Sequence, residues 1–234
     1  AIPKKFTKKL TQADKFRKLC ESKINEPVIG YKAGGTGIPL LKKLKEKEPF
    51  YASVYKRNFL QNGKRVKINK STLGIELEVC YLIKKSFFSS KGPITKKNVT
   101  KFISHMAPCI EVVGYRQRRK GITSFGDLSS DFGANVKFLI GQKKKYKKIN
   151  IGNLKTTISN KKANQKVNGN TNAVYINPLN SLKFVLKKIK KDKVNLGKNF
   201  YVFTGSTVGV VPILSKGLYT GKIDKLGSVK AIIS

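Results

Sequence analysis

The sequence predicts an α+β protein that is rich in strands through its middle and end. Two segments, 10–24 and 177–191, space their apolar residues three and four positions apart, as on one face of a helix. Between and after them lie short apolar runs bounded by glycine and polar turns, which is typical of strands. Neither an internal repeat nor a clean linker divides the 234 residues, so we expect a single domain over 1–234.

Helical patterns occur at four places along the chain. They are 10–24, 39–47, the start of 94–106, and 177–191. Thr11 and Thr95 stand where the first and third of these helices need an N-cap. The last helix has the clearest pattern, because Pro178 lies in its first turn and its apolar residues share one face: Leu179, Leu182, Val185, Leu186 and Ile189.

Strand patterns account for most of the remaining apolar residues. The predicted strands are the start of 28–37, then 50–55, 74–83, 108–115, 135–141, 143–153, 154–164, and two more in the tail from 200 to 233. The first of them ends in the glycine-rich turn GGTG, and glycine turns separate the two strands of the tail.

The chain is strongly basic. Lysine and arginine number 50 against 12 acidic residues, which gives a formal net charge of +38. This excess has two interpretations: a surface for nucleic acid or another anionic partner, or a composition in which lysine fills most solvated positions. Arginine is concentrated at 116–120, and the sequence contains no RNP-type motif, zinc finger or long basic heptad helix. Charge alone therefore does not decide the function.

The cysteines and the apolar runs bear on location. Cys20, Cys80 and Cys109 are odd in number and have no CxxC spacing, so we expect reduced thiols in a cytoplasmic protein, and no zinc site. No apolar run approaches the 18 residues of a membrane span. We expect no secretory signal, because the N-terminus AIPKKFTKKL is charged throughout, and since its first residue is not Met we expect a processed or trimmed chain.

Two scarce acids stand one residue apart inside the strand pattern GIELEVCYLI. Side chains at i and i+2 of a strand share a face, so Glu76 and Glu78 project side by side. Glu111 is a similar acid within the apolar run PCIEVV. Three such carboxylates can hold Mg²⁺ or Mn²⁺, which prefer oxygen ligands. The alternative is that Glu76 and Glu78 lie on the solvent face of an edge strand.

Seven segments, in their order, resemble the fumarylacetoacetate hydrolase superfamily, and most of all its 2-keto-4-pentenoate hydratase and 4-oxalocrotonate decarboxylase branch. They are VIGYKAGGTG, GIELEVCYLI, PCIEVV, DLSSDFGANVKFLIG, NGNTNAVYINPLNSLKFVLKKI, LGKNFYVFTGSTVGVVPI and KLGSVKAII. The resemblance covers residues 10–234. It implies a mixed β-roll over 28–234 with helices around it, preceded by a helical segment 1–27 that lacks the family's usual N-terminal extension.

The resemblance also implies a site. Its three carboxylates would hold Mg²⁺ or Mn²⁺, and the metal would chelate a 2-oxo acid and stabilise the enolate formed from it. Lys32 falls on the family's active-site lysine, where a pKa lowered by burial and by the metal suits proton transfer. The resemblance places Asp127 and Asp131 near the site. Asp131 is the better candidate for proton transfer or for supporting the site residues, and Asp127 is expected to support them. The implied substrate contacts are Gly34, Thr36, Thr204, Gly205 and Ser206.

Each assignment has a plainer alternative. In the alternative interpretation, Lys32 is one more surface lysine and Asp131 is a turn or cap residue. Residues 204–206 then form an ordinary turn. His105 is the only histidine. It lies outside the matched positions, and we expect it to be structural.

The sequence departs from the branch beside the implied site. Gly114 stands where the branch usually has Asp, and Phe132 and Ala134 stand where it has Asn and Ser. Loss of such supporting polar groups typically lowers metal affinity or activity by about 10–100-fold. The His–Glu dyad of the family's hydrolases is missing, so hydrolase chemistry is not expected.

Two functions remain open. One is a metal-dependent lyase that hydrates a 2-oxo-4-enoate or decarboxylates a related 2-oxo diacid. The other is a protein of this fold with impaired catalysis, whose basic surface binds an anionic partner such as RNA or a larger assembly. A homo-oligomer is compatible with either function.

Overall fold

The structure is a computed structural model that describes residues 2–116 and 124–234, so most of the arginine-rich stretch 116–120 lies outside the described residues. The described α-helices are α1 (Lys4–Thr7), α2 (Leu10–Ser22), α3 (Ile38–Lys43), α4 (Phe125–Ser130) and α5 (Pro178–Lys191). The strands are β1 (Val28–Gly34), β2 (Phe50–Tyr55), β3 (Phe59–Gln61), β4 (Arg65–Val66), β5 (Thr72–Ile83), β6 (Ile103–Gly114), β7 (Asn135–Ile140), β8 (Lys144–Lys145), β9 (Lys155–Asn160), β10 (Gln165–Asn170), β11 (Phe200–Ser206), β12 (Gly217–Ile223) and β13 (Gly227–Ile233).

Eight of the described strands form a large mixed sheet. Its order is β2-β1-β11-β5-β6-β7-β3, and β8 pairs with the start of β6. The β1–β11 and β3–β7 pairs are parallel, and the others are antiparallel. The two longest strands, β5 and β6, lie next to each other near the centre of this sheet. This is the mixed α+β architecture that the sequence predicts.

A second sheet of five strands packs on one face of the large sheet. Its order is β10-β9-β12-β13-β4. Alternation along β5 sends Ile75, Leu77 and Val79 into the layer between the sheets, where all three are fully buried. The residues of β5 between these three lie on the opposite face of the sheet. Helix α5 joins the same core through its apolar face. It begins at a well-defined cap: Asn177 accepts a hydrogen bond from the Asn180 amide (3.0 Å), and Pro178 lies in its first turn.

Three local predictions were wrong. Residues 94–106 are not a helix: Thr95 and Asn98 close a turn by bonding each other's backbone amides, and a short 3₁₀ turn leads into β6. Most of 143–153 is irregular, and only Lys144–Lys145 pairs with β6. Lys9, not Thr11, is the N-cap of α2, and its side chain makes no capping hydrogen bond. In the first case, the pairing of β6 with its neighbours outweighs the local helical pattern.

The cysteines and the histidine lie away from the implied chemistry. Cys80 and Cys109 are buried, Cys20 is half-buried, and all three are free thiols. His105 Nδ1 lies 2.8 Å from the Ser104 hydroxyl, at the end of β6 that pairs with β8. None of the described helices combines the length and the apolar character that crossing a bilayer requires.

Candidate metal centre

The three isolated carboxylates meet on one face of the large sheet. The register of β5 and β6 places Glu76 directly opposite Glu111, and Glu78 opposite Cys109. Residues opposite one another in such a pair share a face of the sheet. One oxygen from each of Glu76, Glu78 and Glu111 lies within 4.8 Å of the others, a spacing that a single cation could bridge. Because β5 is central in its sheet, the edge-strand alternative for Glu76 and Glu78 is wrong.

Lys32 is buried beside these carboxylates and is not a surface lysine. Strand β1 carries it next to β11, which in turn pairs with β5. Its Nζ donates to Glu111 Oε1 at 2.6 Å and to the Gly133 carbonyl at 3.0 Å. Only 3% of its surface is exposed. Lys32 therefore supplies one positive charge to a cluster of three acids.

The cluster shifts the pKa of each member. Burial raises the pKa of Glu76 to about 7, helped by the neighbouring Glu111 charge and opposed by Lys32. Burial likewise raises the pKa of Glu78 to about 7, again against the Lys32 charge. It holds the pKa of Glu111 well above its usual value. When no cation is bound, three acids that share one lysine therefore take up protons at a higher pH than isolated carboxyl groups do.

Lys32 does not have the lowered pKa expected from burial alone. Burial lowers its pKa, but the charges of Glu111, Glu76 and Glu78 together outweigh that effect and raise it. In the absence of a cation, Lys32 is therefore an ammonium ion that donates hydrogen bonds.

Two carboxylate oxygens in the cluster have no hydrogen-bond partner. They are Glu78 Oε1 and Glu111 Oε2, both buried. A buried acceptor without a partner is unfavourable, by roughly 1–3 kcal/mol. A divalent cation takes oxygen ligands of this kind and would satisfy both at once. The donor set therefore fits Mg²⁺ or Mn²⁺.

The turn after β11 supports Glu78. The Gly205 amide donates to Glu78 Oε2 at 2.9 Å. Gly205 has a φ of +103°, and a Cβ added there would lie 2.0 Å from Thr36 Oγ1, so only glycine fits. The Thr204 hydroxyl donates to the Val79 carbonyl, and the Ser206 hydroxyl to the Gly209 carbonyl. Thr204 thus holds strands together, whereas Ser206 and Thr36 line the cavity described below.

Asp131 is held by an arginine. Arg116 donates to its carboxylate from the backbone amide (3.0 Å) and from Nε (2.9 Å), and also donates to the Asp131 and Asn135 carbonyls. Burial raises the pKa of Asp131 in spite of this partner. The next three residues all have positive φ: Phe132 (56°), Gly133 (69°) and Ala134 (59°). This loop carries the Gly133 carbonyl that accepts from Lys32, so the Arg116–Asp131 pair fixes the loop behind the lysine.

Asp127 lies in the first turn of α4, which the Ser124 hydroxyl caps by accepting from the Asp127 amide at 3.0 Å. Its side chain is 2% exposed. Its predicted supporting role stays a prediction.

A cavity of about 610 Å³ opens from the carboxylate cluster. Lys32, Glu76, Gly133 and Gly205 contribute to its polar end, together with Gly34 and Thr36. Asp127, Asp131, Thr204 and His105 are not among the described residues that line it. The structure thus brings most of the implied substrate-binding residues to one cavity.

The departures from the family pattern have different consequences. Ala134 lines the cavity, so a polar group is absent there. The Phe132 ring packs against Tyr55, with ring centroids 6.5 Å apart, and is not among the described cavity residues. At Gly114, a Cβ would lie 2.9 Å from the Val136 side chain and 3.0 Å from the Ser71 carbonyl, so an aspartate would require the backbone to shift.

Several contributors to the site have no signal in the sequence. The Gly133 carbonyl acts through its backbone, and Leu73, Val113 and Val210 belong to ordinary apolar patterns. The partnership of Arg116 with Asp131 joins residues 15 positions apart across a loop. Only the register and the loop conformation show these roles.

Comparison with known proteins identifies the fold. No protein-family model matches the sequence, and no curated protein sequence matches it. Among solved structures, the chain is similar to 4-oxalocrotonate decarboxylase from Pseudomonas putida G7 complexed with magnesium and adipate, with a TM-score of 0.82 and 20% identity over 97% of this chain and 86% of that one. The chain has the fumarylacetoacetate hydrolase fold.

Other structures with the fumarylacetoacetate hydrolase fold are more distant. Fumarylpyruvate hydrolase from Pseudomonas aeruginosa, in complex with Mn²⁺ and pyruvate, is 12% identical over 90% of this chain and 91% of that chain, with a TM-score of 0.65. A 2-hydroxyhepta-2,4-diene-1,7-dioate isomerase from Mycobacterium marinum is 11% identical over 89% and 76%, with a TM-score of 0.57. At these identities the likeness establishes the fold.

Proposed function

We propose that this chain is a divalent-metal-dependent enzyme that acts on a 2-oxo acid, with Mg²⁺ or Mn²⁺ held by Glu76, Glu78 and Glu111. One observation carries the proposal: three carboxylates converge within 4.8 Å on a buried sheet face, and two of their oxygens lack a hydrogen-bond partner. Buried acids without enough positive charge around them are unfavourable unless a cation completes the site. The metal-bound decarboxylase and hydrolase that share the fold support the same assignment.

The bound metal would supply Lewis-acid stabilisation of the negative charge that develops on the 2-oxo oxygen. The chain's own residues supply the rest. Lys32 donates hydrogen bonds beside the cluster and is within reach of an oxygen that binds there. The Gly205 amide holds Glu78 in place, and the loop at Gly133 fixes Lys32. The apolar walls of the cavity exclude water from the reacting atoms.

We assign the reaction to the lyases: hydration of a 2-oxo-4-enoate or decarboxylation of a 2-oxo diacid. Enolate chemistry of this kind needs a metal and a positioned proton donor, and it does not need the histidine dyad that the family's hydrolases use. Asp131 acts in this proposal by positioning the loop behind Lys32, because Arg116 engages its carboxylate. The free thiols fit a cytoplasmic location.

The test is thermal stability with Mn²⁺, with and without oxalate, which mimics an enolpyruvate. A ligand that binds only the native state raises its stability by about 2.7 kcal/mol at a hundred times the dissociation constant. We expect Mn²⁺ to raise the melting temperature, oxalate to raise it further only with Mn²⁺, and the double variant Glu76→Gln/Glu78→Gln to lose both effects. Glu48→Gln, at the surface pair with Lys188, is the matched control. An unchanged wild-type melting temperature would refute the proposal.

A second candidate function is binding of an anionic partner such as RNA. A separate cavity of about 400 Å³ is lined by Met106, Ile149, Leu226 and four lysines: Lys144, Lys145, Lys147 and Lys225. Phosphate contacts by such lysines make affinity fall steeply with salt. Binding of a single-stranded RNA oligomer that weakens in Lys144→Glu/Lys145→Glu, but not in Lys4→Glu/Lys5→Glu, would support this function. If the wild type and both double variants bind the RNA equally well, the binding is non-specific charge attraction and this second function is refuted.

A further inference from the structure

The cavity beside the metal centre has its charged side chains, Lys32 and Glu76, at the carboxylate cluster. The rest of its described lining is mostly apolar, and its other polar side chains, Thr36, Asn172 and Ser206, carry no charge. The largest apolar side chains of the lining are Ile38, Leu40, Leu73, Val113, Leu128 and Val210. Lys32 is the only cation among the described residues that line it. That lysine is already paired with Glu111. The described lining therefore offers no second cation for a second negative charge.

Exposed apolar side chains are concentrated at this cavity. In the described part of the chain, eight large hydrophobic residues are exposed, and three of them line the cavity: Leu40 (38%), Leu73 (43%) and Val210 (50%). Apolar residues grouped around one opening are the usual mark of a surface that contacts an apolar ligand.

The backbone directs Leu73 into this position. The β5–β6 pairing is interrupted between Thr72 and Gly74, so Leu73 sits in a bulge and leaves the alternation that buries Ile75 and Leu77. Bulges of this kind re-aim a side chain and often occur next to active sites. Leu73 thereby lines the same cavity as Glu76.

We propose that this wall selects 2-oxo acids whose tail is apolar and uncharged, and disfavours 2-oxo diacids of the same length. The inference rests on the proposed function, because the polar end must hold the 2-oxo acid head. The cavity, at about 610 Å³, lies in the range of drug-sized ligand sites, roughly 300–1,000 Å³, and has room beyond a three-carbon head. A terminal carboxylate placed against Leu40, Leu73 and Val210 would lose part of its hydration without gaining a cation.

The experiment compares three ligands by calorimetric titration of the Mn²⁺-loaded protein: pyruvate, 2-oxohexanoate and 2-oxohexanedioate. The last two have the same six-carbon chain and differ only in their terminal group. Burying one methylene strengthens binding by about fourfold. We expect 2-oxohexanoate to bind at least about tenfold more tightly than pyruvate and at least about tenfold more tightly than the diacid.

Two variants sharpen the test. Leu73→Lys places a cation at the exposed rim and should reverse the order, so that the diacid binds more tightly than 2-oxohexanoate. Leu214→Lys changes another exposed leucine, which is not among the described cavity residues, and should leave the order unchanged.

The outcomes separate this inference from the proposed function. If the wild type binds pyruvate and oxalate and also binds the diacid as tightly as 2-oxohexanoate or more tightly, that result overturns the inference and leaves the proposed function standing. Failure of pyruvate and oxalate to bind would refute the proposed function and the inference with it.

Discussion

The Lys32 ammonium and the Glu111 carboxylate are joined by a 2.6 Å hydrogen bond, where both side chains are almost fully removed from water. The second Glu111 oxygen has no partner. The pair is therefore neutral but incomplete. Glu76 and Glu78 add two acids beside it without adding a second lysine. The charge balance of this cluster leads to the first two predictions.

Removing Lys32 should destabilise the protein strongly at alkaline pH. Lys32→Met leaves the buried Glu111 without its positive partner, and breaking a buried pair in this way typically costs about 3–5 kcal/mol. The loss should be smaller at pH 5 than at pH 8, because burial raises the pKa of Glu111 and a protonated Glu111 needs no positive partner. Urea unfolding at pH 5 and pH 8 measures both. Lys188→Met is the control, because its partner Glu48 is exposed and surface pairs contribute about 0–1 kcal/mol. Equal losses in the two variants would contradict the prediction.

Stability without metal should fall as pH rises from about 4.5 to about 7. The folded pKa values of Glu76 and Glu78, about 7, lie above their ordinary value of 4.5. The folded state therefore binds more protons than the unfolded state in this window, and the stability present below pH 4.5 is lost as pH approaches 7. The change per carboxyl is on the order of 2–3 kcal/mol.

The measurement for this prediction is urea unfolding in the presence of a chelator, at half-unit steps of pH. Glu76→Gln should flatten the profile, because the amide does not titrate. Glu26→Gln, at an exposed pair with Arg57, should leave it unchanged. A wild-type profile that rises with pH through this window would refute the assignment of protonated acids.

Gly205→Ala should be far more disruptive than a substitution at a positive-φ glycine that has open space around it, such as Gly63→Ala. The added Cβ would lie 2.0 Å from Thr36 Oγ1 and would displace the amide that donates to Glu78. We expect a loss of at least about 3 kcal/mol, the sum of overpacking and backbone strain. Gly63 also has a positive φ, +78°, but a methyl group added there would meet open space. Gly63→Ala should therefore lower the free energy of unfolding by only about 1–2 kcal/mol. Equal losses in the two variants would mean that a small shift relieves the clash with Thr36.

Asp131→Asn should lower stability and metal-dependent oxalate affinity together. The amide cannot replace the charged acceptor of Arg116, and hydrogen bonds to charged groups are worth about 1.5–3 kcal/mol each. Urea unfolding and calorimetry with Mn²⁺ and oxalate measure the two effects. Asp224→Asn, in the turn between β12 and β13, serves as the control. Intact stability and affinity with lost turnover would instead make Asp131 a proton-transfer residue.

The central strands and the late helix were predictable because their side-chain periods are strong. Alternation in GIELEVCYLI placed Glu76 and Glu78 on one face, and the structure has them there. The position of Glu111 opposite Glu76 was not predictable from periodicity, because register depends on turns and partners far along the chain. Lys32 was distinguished from the other 49 lysines and arginines only by resemblance to a family turn, since spacing gives a buried lysine no signature.

Other features depended on competition between local and distant contacts. Residues 94–106 have helical spacing, yet Phe102 and Ile103 are buried in the core, and β6 starts there. Thr204 looked like a substrate contact, but its hydroxyl bonds the Val79 carbonyl across the sheet. Asp131 looked like an acid of the site, but Arg116 takes up its carboxylate. A single sequence does not show which partner a polar side chain finds.

The placement of Glu76 and Glu78 on β5 also affects how an ion can enter. This strand is hydrogen-bonded along both edges, to β11 and to β6. Amides in such a strand exchange with deuterium mainly when the whole molecule unfolds. The acids that repel one another are thus carried by the strand least able to separate from its neighbours. An arriving ion meets ligands already in position, so its uptake should depend on how fast the ion sheds its own water and not on movement of the chain.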